Sequence, residues 1–179
     1  YKENRSTCCF DLQLRARFLD IALVPRKARD EILAPGLPNH LVCRGNNHRR
    51  LFSFSSDYLC YLRLLGAACA SHGIAVHALC LMTNHVHLLL TPPSVEAASA
   101  AMKQVSQRYA QLYNQKKGSC GKLFEQRFRS EPVENDAHYL FCLLYIHANP
   151  IAAGMDPSHP WSSHWLYAGA PHEGRIGRD

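Results

Sequence analysis

The sequence predicts an α+β domain of ferredoxin-like type, an antiparallel sheet covered by helices. Three observations carry that expectation. Strand-like and helix-like segments follow one another in the order β-α-β-β-α-β-α. Two apolar runs, IAVHALCLM and HVHLLLTP, are separated only by Thr83-Asn84, as in a tight hairpin. The chain has 179 residues, 47% of them hydrophobic, which suits a single domain with a well-filled core.

The first strand is expected around His40–Arg44, after the turn residues of PGLPN and before the break at Gly45-Asn46-Asn47. Asp57 is placed to N-cap a helix over YLCYLRLLGAACASHG, in which Leu59, Leu62, Leu65 and Cys69 recur at helical spacing and which Gly73 closes. The hairpin comes next. A second helix over residues 94–117 carries Val95, Ala98, Met102, Val105, Tyr109 and Leu112 along one stripe. It ends on Lys116-Lys117-Gly118, with cations at the negative end of the helix dipole and glycine as its cap. KLFEQRFRSEPV predicts the last strand. A third helix starts near Asn135 or Asp136 and is expected to stop at Asn149, because a proline disfavours helical backbone in the residue before it. The tail from PWSSH onward is expected to wrap irregularly over the domain, with residues 169–179 a loose end.

Composition narrows the function classes. No apolar run approaches the roughly 20 residues of a membrane span, and the N-terminal stretch lacks the apolar centre of a signal peptide. A cytoplasmic location is therefore expected. None of the eight cysteines forms a C-x-x-C pair and most sit inside apolar runs, which favours buried reduced thiols over a zinc site or a disulfide framework. The net charge of +6 is concentrated in residues 1–50, which hold ten Lys/Arg against five acids. A polyanionic partner fits that asymmetry, with a solvated basic face as the plain alternative.

The stretch LCLMTNHVHLLLTP sets two imidazoles into an apolar strand. Side chains alternate across a strand, so His85 and His87 share one face while Val86, Leu88 and Leu90 share the other. An isolated H-x-H pair more often marks a solvated sheet face than a metal site. Here the preceding turn and the following Leu88-Leu89-Leu90 support the strand geometry, and the two rings are close enough to share one ion. A third ligand must come from elsewhere.

The segment NDAHYLFCLLYIHANP can provide it. Tyr145 and Asn149 lie one helical turn apart, and His138, Phe141 and Cys142 extend the stripe backward. An amide oxygen and a phenol near two imidazoles would make a mixed N/O site suited to Mg²⁺ or Mn²⁺ when phosphate also coordinates. A tyrosine nucleophile is almost fully protonated at neutral pH, so attack needs a base or a metal that activates the phosphorus. Tyr109, Tyr113 and Tyr139 also fall on helices, and spacing does not separate them from Tyr145.

Five motifs in order resemble the single-tyrosine HUH transposases, and most of all the REP-associated tyrosine transposases: VPRKARDEILAPGLPNHLVCRGNNHRRLF, LMTNHVHLLL, GKLFEQRFRS, LLYIHANPIAAGM and PWSSH. They run from about Val24 to Tyr167. The resemblance implies that His85 and His87 are the metal-binding pair, Tyr145 the catalytic nucleophile and Asn149 the third ligand, with Mg²⁺ or Mn²⁺ as cofactor. It implies cutting of single-stranded DNA beside hairpins through a 5′-phosphotyrosine link that frees a 3′-OH, with later resealing onto another 3′-OH. No nucleotide cofactor is then required, and the phosphate-binding motif G-x-x-x-x-G-K-[ST] is absent from the sequence. A DNA-hairpin binding protein without cleavage is the alternative, and the complete set of His85, His87, Tyr145 and Asn149 speaks against it. An RNA-binding reading ranks lower, since the aromatic RNP stretch is missing.

DNA contact is expected from the basic loop of Arg44, Asn46, Asn47, Arg49 and Arg50, from Arg26, Lys27 and Arg29 before it, and from Arg127 and Arg129. The sequence departs from the family at Thr83, where proline is usual, at Phe124 and Glu125, and at Leu144 and Ala152, where arginines are common. Those changes put some backbone or hairpin contacts in doubt and leave the chemistry residues intact. Trp161 of PWSSH is expected to pack. The extension after the catalytic helix favours a monomer, as in the REP-associated members, over the homodimers of mobile relatives. The transposase domain is expected over residues 24–168. Residues 1–23 match nothing in the family, and Val24 in VPRKAR is expected to be a GTG-encoded natural start; intact mass of the protein from its native host tests this.

Overall fold

Val86, Leu88 and Leu90 alternate with His85, His87 and Leu89, and this period-two pattern forms a strand, β3 (His85–Thr91). β3 pairs antiparallel with β2 (Ala75–Leu81) through the Thr83-Asn84 turn, and antiparallel with β1 (Asn39–Arg44) on its other side. β4 (Arg129–Pro132) pairs antiparallel with β1, giving the strand order β2-β3-β1-β4. The structure is a computed structural model that describes residues 32–169. The expectations for residues 1–23, Val24, Arg26, Lys27 and Arg29, and for most of the tail from 169 to 179, lie outside the described residues.

Two helices cover one face of this sheet, α1 (Ser55–Ser71) and α2 (Val95–Lys117). Leu41, Cys43, Val86, Leu88 and Leu90 point into them and form the main core with Tyr61, Leu65, Met102, Val105 and Tyr109. A third helix, α3 (Asp136–Ala152), covers the opposite face, where Cys142 and Ile146 pack on Ala78, Cys80 and Leu89. The α+β, ferredoxin-like expectation is met in its β-α-β-β-α-β order and its antiparallel sheet, with α3 as a further layer.

Several helix ends follow the expected chemistry. The Ser94 hydroxyl accepts from the Ala97 N–H at the start of α2, and Gly118 ends that helix at φ +56°. Asn135 caps α3 in the same way, accepting from the His138 N–H. Elsewhere the details differ. Asp57 is not the N-cap of α1, which begins two residues earlier; Asp57 instead reaches back from the first turn, and its Oδ2 accepts from the N–H groups of Ser53 and Phe54. The buried side of α1 is built by Tyr58, Tyr61, Leu65 and Ala68, while Leu59 and Leu62 are only partly buried. Two aromatics bury more area than two leucines, and they set the rotation of the helix.

The final strand is shorter than KLFEQRFRSEPV suggested. Residues 122–128 are irregular because Leu123, Phe124 and Phe128 all enter the main core, a demand that strand alternation cannot meet. The third helix does not stop at Asn149 but runs through Pro150 to Ala152. Pro150 sits in the last turn, where a missing N–H removes one helical bond, and it is buried. The turn is closed by Ala153 N–H to the Asn149 carbonyl at 3.0 Å and Met155 N–H to the Pro150 carbonyl at 2.8 Å.

After α3 the chain returns along the free edge of β2. Ser162 bridges Cys80, Leu81 N–H donates to the Trp161 carbonyl at 2.9 Å, and Ser163 N–H donates to the Leu79 carbonyl at 2.9 Å. Trp161 packs as expected, stacked on Tyr58 at 4.6 Å, before the short helix α4 (His164–Tyr167). The six described cysteines are free thiols, four of them buried. Among the described residues no helix is long and apolar enough to cross a membrane.

Candidate active site on the imidazole face of the sheet

The register of β1 and β3 decides what shares a face with the two histidines. Val42 pairs with His87 and Arg44 with His85, so His40, Val42 and Arg44 join the imidazoles on the side that α3 covers. His85 and His87 lie with ring centroids 4.9 Å apart. They are not equivalent, since His87 is buried and His85 stands half-buried at the end of the strand. α3 brings Tyr145 edge-on to His87, centroid to centroid 5.6 Å, and edge-on to His40 at 5.8 Å.

Hydrogen bonds fix how the donors can be used. The His85 Nδ1 lies 2.7 Å from Asn84 Oδ1; an amide oxygen only accepts, so Nδ1 carries the proton and Nε2 keeps its lone pair. The Asn149 Nδ2 donates to the Tyr145 carbonyl at 2.7 Å, which leaves Oδ1 as the acceptor of that amide. His40 Nε2 is 3.0 Å from His87 Nδ1.

Burial keeps all three imidazoles neutral at pH 7. It pushes His85 down to about 4, with the Arg44 guanidinium adding to the effect. His40 is likewise lowered to about 4 by burial and, secondarily, by His138. His87 is held well below the ordinary histidine range by burial first, then by His40, His85 and Arg44. Neutral rings offer lone pairs with no proton to displace, which is what metal ligation requires. Among the described residues no three His, Cys, Asp or Glu side chains are arranged to hold a metal ion.

The other helical tyrosines are elsewhere. Tyr109 is buried in the main core and donates to the Leu51 carbonyl, and Tyr113 donates to the Arg50 carbonyl, both on α2 across the sheet. Tyr139 lies on α3 but packs edge-on to His77 of β2. The expected basic loop stands beside the hairpin turn. Gly45 N–H donates to the Asn84 carbonyl at 2.8 Å, and the N–H groups of Leu51 and Phe52 both reach the Thr83 carbonyl. Asn47, Arg49 and Arg50 are exposed there, with Asn46 and Arg44 partly covered. Arg127 is exposed and Arg129 half-buried at the start of β4. His40 was not singled out by sequence reasoning; its place beside His87 depends on the register of two strands that are distant in the chain.

The Transposase IS200-like family pattern matches residues 35–149, which include every one of these groups. The chain belongs to that family. No curated protein sequence matches it. Among solved structures, the chain is similar to a REP-associated tyrosine transposase bound to a REP hairpin, at 15% identity and a TM-score of 0.65, over 88% of this chain and 94% of the other. That likeness is one of fold. A "putative transposase" from Deinococcus radiodurans R1 is similar at 19% identity and a TM-score of 0.48, over 70% of this chain and 97% of the other.

Proposed function

We propose that this IS200-like family member is a metal-dependent nickase and strand transferase that cuts single-stranded DNA beside hairpins. The observation that carries the reading is the packing of Tyr145 against His87, with His85 one ring away, although strand and helix are distant in the sequence. Family membership supports the reaction class, and the REP hairpin held by the structural neighbour supports hairpin DNA as the substrate class.

The donor set fits Mg²⁺ or Mn²⁺. His85, His87 and the Asn149 amide would hold the ion, and three neutral ligands leave its charge undiminished. When bound, a divalent cation supplies Lewis-acid polarisation of the scissile phosphate. The remaining work falls to the chain. Tyr145 Oη attacks the phosphorus, its proton passes to water, the P–O3′ bond breaks, and the departing oxygen takes up a proton as a 3′-OH. The phosphodiester bond energy is kept in the Tyr145 ester, so a second 3′-OH can reverse the step without a nucleotide cofactor. Ring contacts from His40 and His87 hold the phenol beside the imidazoles. Arg44, Arg49 and Arg50, next to the turn that leads into His85, would neutralise backbone phosphates, joined by Arg127 and Arg129, while Asn46 and Asn47 would donate hydrogen bonds to them. The segment around Trp161–Ser163 covers the edge of β2, which favours a monomer.

Incubation with single-stranded hairpin oligonucleotides from repeats flanking the gene, plus Mn²⁺ or Mg²⁺, is expected to give a protein–DNA adduct that survives SDS. Tyr145→Phe, His87→Ala and EDTA should each abolish it. Tight hairpin binding with no adduct under either metal would leave a binding protein instead, and an adduct formed by Tyr145→Phe would move the nucleophile to another tyrosine.

A further inference from the structure

His40 stands at the meeting point of the two elements that make the site. It precedes Val42, the register partner of His87, by two residues, so the two imidazoles lie diagonally on one face of neighbouring strands. Both are almost fully enclosed, at 2% and 4% exposure. The rings lie side by side, nearly in one plane, with centroids 5.2 Å apart and planes 16° apart, and His40 Nε2 lies 3.0 Å from His87 Nδ1. At that separation a single proton fits between the nitrogens, because two would collide and none would oppose two lone pairs.

Which ring holds the proton decides what His87 offers on its far side. When His87 Nδ1 donates, its Nε2 carries a lone pair and can bind a cation. When His40 Nε2 donates, the proton of His87 resides on Nε2 and blocks ligation. A ligating histidine usually gives its second N–H to a carboxylate, a carbonyl or water, and that partner holds both tautomer and ring orientation. For His85 the partner is local, the Asn84 side chain one residue away. For His87 it comes from the neighbouring strand.

We infer that His40 is a positioning residue, which accepts a hydrogen bond from His87 Nδ1–H and thereby holds His87 Nε2 in the tautomer and orientation that bind a divalent cation. The inference rests on the metal site proposed above. An imidazole acceptor adds no negative charge to the site, unlike a carboxylate, and so leaves the cation's pull on phosphate intact. The same ring touches the edge of Tyr145, so one residue indexes ligand and nucleophile to each other.

The test is Mn²⁺ binding to the full chain, followed by electron paramagnetic resonance of the free ion. His40→Leu is expected to weaken binding by about 10–100-fold, and His40→Gln, whose amide oxygen can accept the same bond, to recover most of the loss. His87→Ala runs beside them. If His87→Ala binds Mn²⁺ as tightly as the parent, the metal reading itself fails. If His87→Ala loses Mn²⁺ but His40→Leu does not, only the role of His40 fails. A measurement on the unsubstituted protein keeps the question decidable should either variant misfold. Long-range ¹H–¹⁵N correlation at neutral pH is expected to show the His87 proton on Nδ1, and a proton on Nε2 would overturn the inference.

Discussion

Strand β3 presents two faces of the same length to two different layers. Toward α1 and α2 it offers Val86, Leu88 and Leu90, all fully buried among apolar side chains. Toward α3 it offers His85, His87 and Leu89, and the cover there is thinner and more polar, with Tyr145 and His40 against the imidazoles. The first face is interchangeable chemistry, in which volume and shape matter. In the proposed function the second is specific chemistry, in which the position of each nitrogen matters. On that reading one strand divides stability from reactivity by side-chain parity alone.

Paired truncations on the two faces should therefore give opposite phenotypes. Leu88→Ala leaves a cavity in the central strand of the sheet and is expected to cost about 2–5 kcal/mol, read as a fall in the urea midpoint. Any Leu88→Ala molecules that remain folded should still form the Tyr145 adduct. His85→Ala, at a half-buried site whose hydrogen bond is to its neighbour Asn84, should cost less than about 1 kcal/mol yet abolish the metal-dependent adduct. Equal losses of stability from the two variants would mean that the imidazole face is structural core, no different from the apolar face.

Much of this division could be read from the sequence, because parity is a local property. The same-face placement of His85 and His87 follows from alternation, and the neighbourhood of Tyr145 and Asn149 from the helical turn. What was not legible depends on contacts between distant segments. His40 looks like an ordinary strand residue until the register with β3 sets it beside His87. Tyr109, Tyr113 and Tyr139 were equal to Tyr145 by spacing and are separated only by which side of the sheet, or which strand, their helices pack on. Helix ends failed for a related reason. Pro150 disfavours a helix locally, and the burial of its own ring in the last turn of α3 overrides that. The resemblance to a known family supplied the roles of the residues, which geometry by itself does not name.

Gly45 joins the two regions and offers a smaller perturbation. Its φ of −67° is open to any residue, so the requirement for glycine is one of space. A Cβ would lie 2.2 Å from the Arg49 carbonyl oxygen and 3.3 Å from the Asn84 carbonyl oxygen. Gly45→Ala must push the basic loop away from the hairpin turn, at a cost of about 1–3 kcal/mol. The Gly45 N–H also holds the Asn84 backbone, and the Asn84 side chain orients His85. Thermal melting together with Mn²⁺ titration should therefore show both a lower midpoint and weaker metal binding. A loss of stability with unchanged metal affinity would show that the loop does not set the position of His85.

The smallest effect on adduct formation is expected on the apolar side, where one ion pair ties α1 to α2. Asp57 Oδ1 lies 2.6 Å from Lys116 Nζ, while its Oδ2 accepts the two N–H groups at the start of α1. Burial, the largest single influence, would raise the Asp57 pKa, but the hydrogen bond from Lys116, the two backbone donors and the Lys116 charge together lower it below its ordinary 3.8. A carboxylate with a lowered native pKa contributes stability that is complete above 3.8 and is lost as the pH falls through the native value. Asp57→Asn should thus cost about 0.5–2 kcal/mol at neutral pH, through a weakened helix start and a lost ion pair that is half open to solvent. It should also flatten the acid limb of a urea-midpoint series taken from neutral to strongly acidic pH. Adduct formation at neutral pH should not change, because Asp57 lies on the far side of the sheet from Tyr145. A variant that lost the adduct while remaining folded would mean that the two faces communicate, and that the helices of the apolar layer help to hold the imidazoles in place.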